Sequence, residues 1–265
     1  MRAAFVSGGS SGIGFATAHA LAVKGHNLAL FARDAARLLE ARAAILADAP
    51  DIQVETYAVD VANRDDFVAA LTDAMAKLAP PEIAVASAGM ATPGLFIEQS
   101  YELHARHMAV NYLGALTLTD ILSGPMAAAG GGKIGLIASG AAFFGIYGYS
   151  AYAPSKFALR GLSEILHLEL APKNISVTLI YPPDTDTPQL AEELRTKPLA
   201  TQKITAGGGR AQPSEIARKL IHGMQAGHPV VTPGLQMTLL YRFGSLLAPL
   251  LRLYQKHIIA RHGAS

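Results

Sequence analysis

Short runs of apolar, β-type residues alternate with Ala- and Leu-rich stretches of helical periodicity from the start of the chain to about residue 231. The runs are Ala3 to Val6, Leu28 to Phe31, Val54 to Ala58, Ile83 to Ala86, Lys133 to Ala138, Val177 to Tyr181 and Pro229 to Val231. Between them the pattern predicts helices near 12 to 24, 34 to 47, 64 to 78, 102 to 128, 151 to 171 and 213 to 226. Asp34 and Pro213-Ser214-Glu215 are start signals, and Gly25 and Gly130 suit helix ends. Such alternation builds parallel strands through right-handed crossovers, which place helices on both faces of one twisted sheet. The expected fold is α/β, a doubly wound parallel sheet of about seven strands.

Two segments depart from this rhythm. Pro182 to Gly209 is rich in Pro, Thr and Gly and predicts only one short helical piece, roughly Gln189 to Arg195. A long loop at the carboxyl end of such a strand is a lid candidate. After Gly234, residues Leu239, Leu240, Phe243, Leu246, Leu247, Leu250, Leu251 and Tyr254 recur at helical spacing and form one apolar stripe.

Composition narrows the classes. At 265 residues the chain can bury one large core, and 51% hydrophobic against 16% charged residues excludes disorder and suits strands covered on both faces. A net charge of +2, with Lys and Arg scattered and no interleaved aromatics, predicts no nucleic-acid partner. With no cysteine there is no disulfide and no thiolate metal site, which fits a reducing, cytoplasmic setting. No basic stretch and apolar h-region precede the first strand, so no secretory signal is expected. His19, His104, His107 and His167 have no metal-ligand spacing and read as structural, so no metal is expected.

The turn Ser7-Gly8-Gly9-Ser10-Ser11-Gly12-Ile13-Gly14 lies between the first strand and the first helix. Glycines at 8, 12 and 14 let the backbone turn tightly and approach a pyrophosphate over the helix N-terminus, where free amides favour anions. That makes the sheet Rossmann-type and the ligand a dinucleotide. The second strand ends Phe31-Ala32-Arg33-Asp34, with an arginine where the ribose 2′-phosphate would lie, which favours NADPH. Asp60, with Val61, follows the third strand and is placed to accept from an adenine amino group.

Tyr152 and Lys156 are four apart on a predicted helix and share one face. A free phenol has a pKa near ~10, and a neighbouring ammonium favours phenolate, so Tyr152 is the acid–base candidate. Ser139 ends the fifth strand, where its hydroxyl can bond a substrate carbonyl as charge develops. Asn111 falls mid-helix, where asparagine is a mediocre helix former and invites a role such as holding a water that links Lys156 to solvent.

At these residues the chain resembles the short-chain dehydrogenase/reductase family, over residues 1 to about 231. The family carries a Thr-Gly-x-x-x-Gly-x-Gly turn, an Asn-Asn-Ala-Gly strand end, an Asn-Ser-Tyr-Lys tetrad and a Pro-Gly-x-x-x-Thr segment. Here Ser7 replaces the threonine, and Ala86-Ser87-Ala88-Gly89 lacks both asparagines but keeps Gly89. Pro182-Pro183-Asp184-Thr185-Asp186-Thr187 has Pro183 in place of glycine. The resemblance implies cofactor contacts at Pro182, Thr185 and Thr187, the last on the nicotinamide carboxamide, and a catalytic tetrad of Asn111, Ser139, Tyr152 and Lys156.

Tyr181 to Pro188, Ala191 to Leu199 and Gly145 to Tyr152 are similar to the 3-ketodihydrosphingosine reductase branch of that family. This likeness implies NADPH-dependent reduction of the 3-keto group of a long-chain aminoketone. Other hydrophobic carbonyls, a 3-ketoacyl thioester or a steroid, are alternatives, as is a non-catalytic NADP sensor. A thioester carrier would need a basic patch such as Arg195, Lys197, Lys203 and Arg210. The expected organisation is a dinucleotide-binding and catalytic domain over 1–233 with its lid at 182–209, then an amphipathic segment over 234–265. That segment is too charged at Arg242 and Arg252 to span a bilayer, and Pro249 should kink it. It would lie in a membrane interface or pack on protein, with Lys256, His257, Arg261 and His262 near anionic lipid. The expected location is cytoplasmic, peripheral on the cytoplasmic membrane face, and family analogy implies a homo-oligomer.

Overall fold

The computed structural model describes residues 2–263. Its strands are β1 (Ala3–Ser7), β2 (Asn27–Ala32), β3 (Val54–Ala58), β4 (Ile83–Ala86), β5 (Gly132–Ile137), β6 (Ile175–Ile180), β7 (Asp184–Thr185), β8 (Arg210–Ala211) and β9 (Val230–Val231). Its α-helices are α1 (Gly12–Ala22), α2 (Ala35–Asp48), α3 (Arg64–Leu78), α4 (Tyr101–Met108), α5 (Gly114–Ala128), α6 (Tyr152–Glu169), α7 (Pro188–Thr196), α8 (Leu199–Thr205), α9 (Pro213–Gln225) and α10 (Leu235–His262). Seven strands form one sheet in the order β3-β2-β1-β4-β5-β6-β9, and every pairing is parallel.

All five residues of β1 are buried because both faces of the sheet are covered. Ala3 and Phe5 join a core with Phe67 and Leu71 of α3, Leu118 of α5 and Leu159 of α6. Ala4 and Val6 point the other way, to Ala18 and Leu21 of α1, Leu38 of α2 and Leu220 of α9. Phe31 stacks on Tyr57 at 5.0 Å and meets Phe67 edge-on at 5.6 Å, which locks α3 to the sheet. Strand order reverses between β1 and β4, and the crevice at their carboxyl ends is where ligands of such sheets bind.

Three elements differ from the sequence expectation. The helix expected over 102–128 is α4 and α5 joined by a π turn over Ala109–Leu113, and Asn111 sits in that turn. A π turn marks an extra residue accommodated at a site where something else is gained. The stretch 182–209 holds a second helix, α8, besides the expected α7, and its β7 pairs in parallel with β8 just beyond it, which the pattern did not suggest. Finally, α10 runs through Pro249 as one helix of 28 residues.

The apolar stripe of α10 divides between two faces. Met237, Leu240 and Gly244 are buried against the body, and Leu251 is partly so. Gln255, also buried, accepts from the Tyr147 amide at 2.9 Å and donates to the Gly145 carbonyl at 2.9 Å. Leu239, Phe243, Leu246, Leu250 and Leu253 stay exposed. No helix among the described residues is long and apolar enough to cross a membrane.

Candidate active site

The turn after β1 is built as a cradle for an anion. Gly8 and Gly12 have φ of +70° and +56°, a region that side-chain-bearing residues rarely enter. A Cβ on Gly14 would lie 2.2 Å from the Gly8 carbonyl oxygen, so the close approach of turn and helix requires hydrogen there. Ser10, Ser11, Gly12 and Ile13 face a cavity of about 740 Å³, with the unpaired amides of the first turn of α1 beside them. Arg33 lines the same cavity, and so does Arg37, which the sequence reading missed; Asp34 caps α2 by accepting the Arg37 amide at 3.1 Å. Two guanidinium groups and a helix terminus make this end fit the pyrophosphate and 2′-phosphate of NADPH.

Two expected cofactor contacts have other partners. Ser7 is buried, and its hydroxyl accepts from the Ala88 amide at 3.3 Å, tying β1 to the end of β4. Asp60 lines the cavity with Val61, but its carboxylate pairs with Arg106 and accepts from the Ala62 amide at 3.0 Å. Burial works against the Asp60 charge, yet the Ala62 amide and Arg106 outweigh it and hold its pKa below the usual range, with Arg33 adding to the effect.

The reacting end lies where β5 and β6 finish. Tyr152 opens α6 and is buried; Ser139 follows β5, its hydroxyl accepts from the Ala141 amide at 3.2 Å, and it lies close enough to act on the Tyr152 phenol. The Lys156 ammonium is 5.7 Å from the centre of the Tyr152 ring and donates to the Ile137 carbonyl at 2.9 Å. Burial lowers Lys156 to about 8. It raises Tyr152 above the ordinary phenol value, helped by the charges of Glu193 and Asp184 and opposed by Ser139. The expectation that Lys156 would favour phenolate is therefore overridden by burial and two carboxylates: Tyr152 is held as the neutral acid.

Asn111 has a part that sequence could not specify. Its carbonyl accepts from the Met90 amide at 2.8 Å, and its amide donates to the Met90 carbonyl at 3.0 Å and the Ser155 hydroxyl at 2.9 Å. Those bonds hold the segment after β4 against α6, the service that the missing strand-end asparagines would otherwise perform. The side chain thus acts as a clasp between Met90 and Ser155. His107 is buried beside it, with Nδ1 on the Leu103 carbonyl at 2.8 Å and Nε2 accepting from the Thr92 amide at 3.1 Å.

Residues 2–198 match the short chain dehydrogenase family. The protein belongs to that family. The chain is 40% identical over 226 residues to the 3-dehydrosphinganine reductase of Danio rerio, covering 84% of this chain and 68% of the relative. It is 34% identical, with the same coverage, to the 3-ketodihydrosphingosine reductase of Bos taurus. Among solved structures, the L-sorbose reductase of Gluconobacter frateurii with NADPH and L-sorbose superposes with a TM-score of 0.78 at 26% identity, covering 88% of this chain and 95% of that one. A short-chain dehydrogenase from Sphingobium yanoikuyae in complex with NADPH gives 0.78 at 26% over 93% and 92%.

Within this short-chain dehydrogenase, the segment after β6 forms one wall of the cavity. Pro182, Thr185 and Thr187 line it, as does Gly89 from the opposite side. The Thr187 hydroxyl caps α7 by accepting the Leu190 amide at 3.2 Å, and its methyl lies over Gly12, so the lid closes directly on the glycine turn. The four basic lid residues do not form a docking patch. Arg195 pairs with Glu192 at 3.1 Å, Arg210 with Asp186 at 2.8 Å, and Lys197 is buried on Glu193 at 3.0 Å, leaving Lys203, among the described residues, as the member of that set without an ion pair. The wall away from the cradle is apolar, formed by Phe144, Ile146, Ile204, Met237 and Leu240. The sequence reading had not assigned α10 to the pocket.

Proposed function

We propose that this protein reduces the 3-keto group of 3-dehydrosphinganine to sphinganine with NADPH, a step of sphingolipid synthesis. The observation that carries the reading is one continuous cavity with an anion cradle and two arginines at one end, the Ser139–Tyr152–Lys156 group in the middle and an apolar wall at the other. NADPH held in the cradle supplies hydride to the carbonyl carbon. Tyr152 donates its phenolic proton to the carbonyl oxygen, and Ser139 bonds that oxygen as its charge grows. Lys156, which lines the cavity, would hold the cofactor ribose, and Asn111 keeps the wall behind it in place. The relatives named for this reaction support the choice of ketone, and the paired lid cations weigh against an acyl-carrier thioester.

Purified protein mixed with NADPH and 3-dehydrosphinganine should consume reduced nicotinamide, and Tyr152→Phe should abolish turnover while keeping NADPH binding. Retained turnover in that variant would sink the assignment of the acid. No oxidation with this ketone, but activity on a 3-ketoacyl thioester, would move the protein to another substrate.

We also infer that the protein is cytoplasmic and rests on the membrane through α10. Its exposed stripe follows the three- and four-residue spacing of an interfacial helix, and the same helix lines the apolar end of the cavity where a lipid chain must enter. Sedimentation with anionic vesicles should fail for the Leu246→Glu, Leu250→Glu double variant. Exposed Leu113, Phe157, Ile165 and Leu168 support a homo-oligomer through α6 and the π turn beside it, to be measured by light scattering.

A further inference from the structure

The lid presents a charge arrangement that carbonyl reduction alone does not require. Glu193, on α7, is 7% exposed and lines the cavity. Its carboxylate accepts from the Tyr149 hydroxyl and from the Lys197 ammonium at 3.0 Å. Asp184, on β7, also lines the cavity and reaches the same ammonium at 4.0 Å. Two carboxylates thus share one lysine. The neighbouring arginines form their ion pairs with other carboxylates, Arg210 with Asp186 at 2.8 Å and Arg195 with Glu192 at 3.1 Å, although Arg210 also attracts Asp184 from a distance. Among the described residues Lys197 is the ion-pair partner these two carboxylates share, so the pair carries more negative charge than that one contact covers, at a partly buried position where water screens it less.

That charge is directed at the reacting centre. Tyr149 stands between the two, its ring edge-on to Tyr152 at 5.5 Å while its hydroxyl holds Glu193. Both carboxylates act on the Tyr152 phenol electrostatically. A group that only pinned α7 to the body would need Glu193 and Lys197; it would not need Asp184 facing the cavity as well. A cationic substituent next to the reacting carbonyl would meet both carboxylates and cover the excess charge.

We propose that Glu193 and Asp184 recognise the protonated amino group that 3-dehydrosphinganine carries on the carbon beside its ketone, and so select an aminoketone over a plain ketone. This rests on the function proposed above. The pair orients the substrate from its polar tip, with the alkyl chain running along Ile204, Met237 and Leu240. Lys197 holds Glu193 in place at 3.0 Å and is a positioning residue.

The test compares kcat/KM for 3-dehydrosphinganine with that for the same ketone lacking the amine, in the wild type, Glu193→Gln and Asp184→Asn. NADPH titration by fluorescence verifies that each variant is folded. The wild type should prefer the aminoketone by about ten- to hundredfold, the range for a hydrogen-bonded charge, and either variant should erase most of that preference. Because the readout is a ratio, general damage to the site cancels. Asp184→Asn, which loses only a 4.0 Å neighbour, remains informative should Glu193→Gln fail to fold. A preference unchanged in Asp184→Asn, and in Glu193→Gln where that variant folds, or absent from the wild type, overturns the inference. A wild type that reduces neither ketone overturns instead the proposed function beneath it.

Discussion

Replacing Asn111 by alanine separates a structural role from a purely catalytic one. The variant deletes three hydrogen bonds, to the Met90 amide, the Met90 carbonyl and the Ser155 hydroxyl, at a side chain that is 1% exposed. A net contribution of about 0.5–1.5 kcal/mol per bond sets the scale, with more for partners left dry. Met90 is half-buried and recovers some hydration, whereas Ser155 is fully buried and keeps its bond to the Tyr152 carbonyl at 2.7 Å. The expected loss is about 2–3 kcal/mol, a fall in Tm of roughly 4–12 °C for a chain of this size. The segment after β4 also shapes the crevice at Gly89, so NADPH affinity should weaken together with kcat. Urea unfolding monitored by circular dichroism, with NADPH titration beside it, provides both numbers. A variant as stable as the wild type to within about 0.5 kcal/mol, with only kcat reduced, would refute the clasp and return Asn111 to water-holding alone.

Other consequences are as direct. Gly14→Ala forces a Cβ against the Gly8 carbonyl, so NADPH affinity should drop about tenfold or more in a fluorescence titration. Arg33→Ala with Arg37→Ala removes both guanidinium groups at the end of β2 and should cut the preference for NADPH over NADH by about ten- to hundredfold in steady-state kinetics. In the cofactor-free protein, Lys156 releases its proton near about 8 when folded but near 10.5 when unfolded. Between those values the unfolded chain binds more protons, so this group makes stability rise with pH, by up to about 3 kcal/mol. Lys156→Met should remove that rise, read as the difference between variant and wild type in urea unfolding at pH 7.5 and pH 10. Gln255→Ala frees α10 from the Gly145 and Tyr147 backbone and should raise KM for the ketone while leaving NADPH affinity intact.

The strand pattern was legible because both faces of this sheet are covered. Runs such as Leu28 to Phe31 are apolar throughout, and Gly8, Gly12 and Gly14 mark the turn by a steric need that no other residue meets. Tyr152, Ser139 and Lys156 were readable from order and spacing, since a helix and a strand end fix where they point. What sequence hid depends on distant pairing. Arg37 reaches the cavity only because Asp34 caps α2 and sets its first turn there, and Ser7 turns inward only because Ala88 lies across the β1–β4 seam. Of the helices in 182–209, α7 was foreseen over roughly Gln189 to Arg195, starting one residue after its Thr187 cap and Pro188, whereas the short α8 was missed because its surroundings of Pro, Thr and Gly read as loop. The α10 stripe read as one face because leucine alone does not reveal which side meets Phe143 and Tyr181.

The state of Tyr152 connects the electrostatics to the direction of the chemistry. Carbonyl reduction needs a proton donor, and a phenol kept neutral by burial, Glu193 and Asp184 holds that proton throughout the physiological range. Ser139 opposes the shift, which keeps the acid strong enough to release the proton once negative charge grows on the carbonyl oxygen. The lid carboxylates would then act twice on the proposed substrate, attracting its ammonium and keeping the acid loaded. When that ammonium covers the excess charge, the carboxylates' hold on the Tyr152 proton weakens just as the ketone arrives. An aminoketone would thus ease its own protonation in a way that a plain ketone of equal length does not.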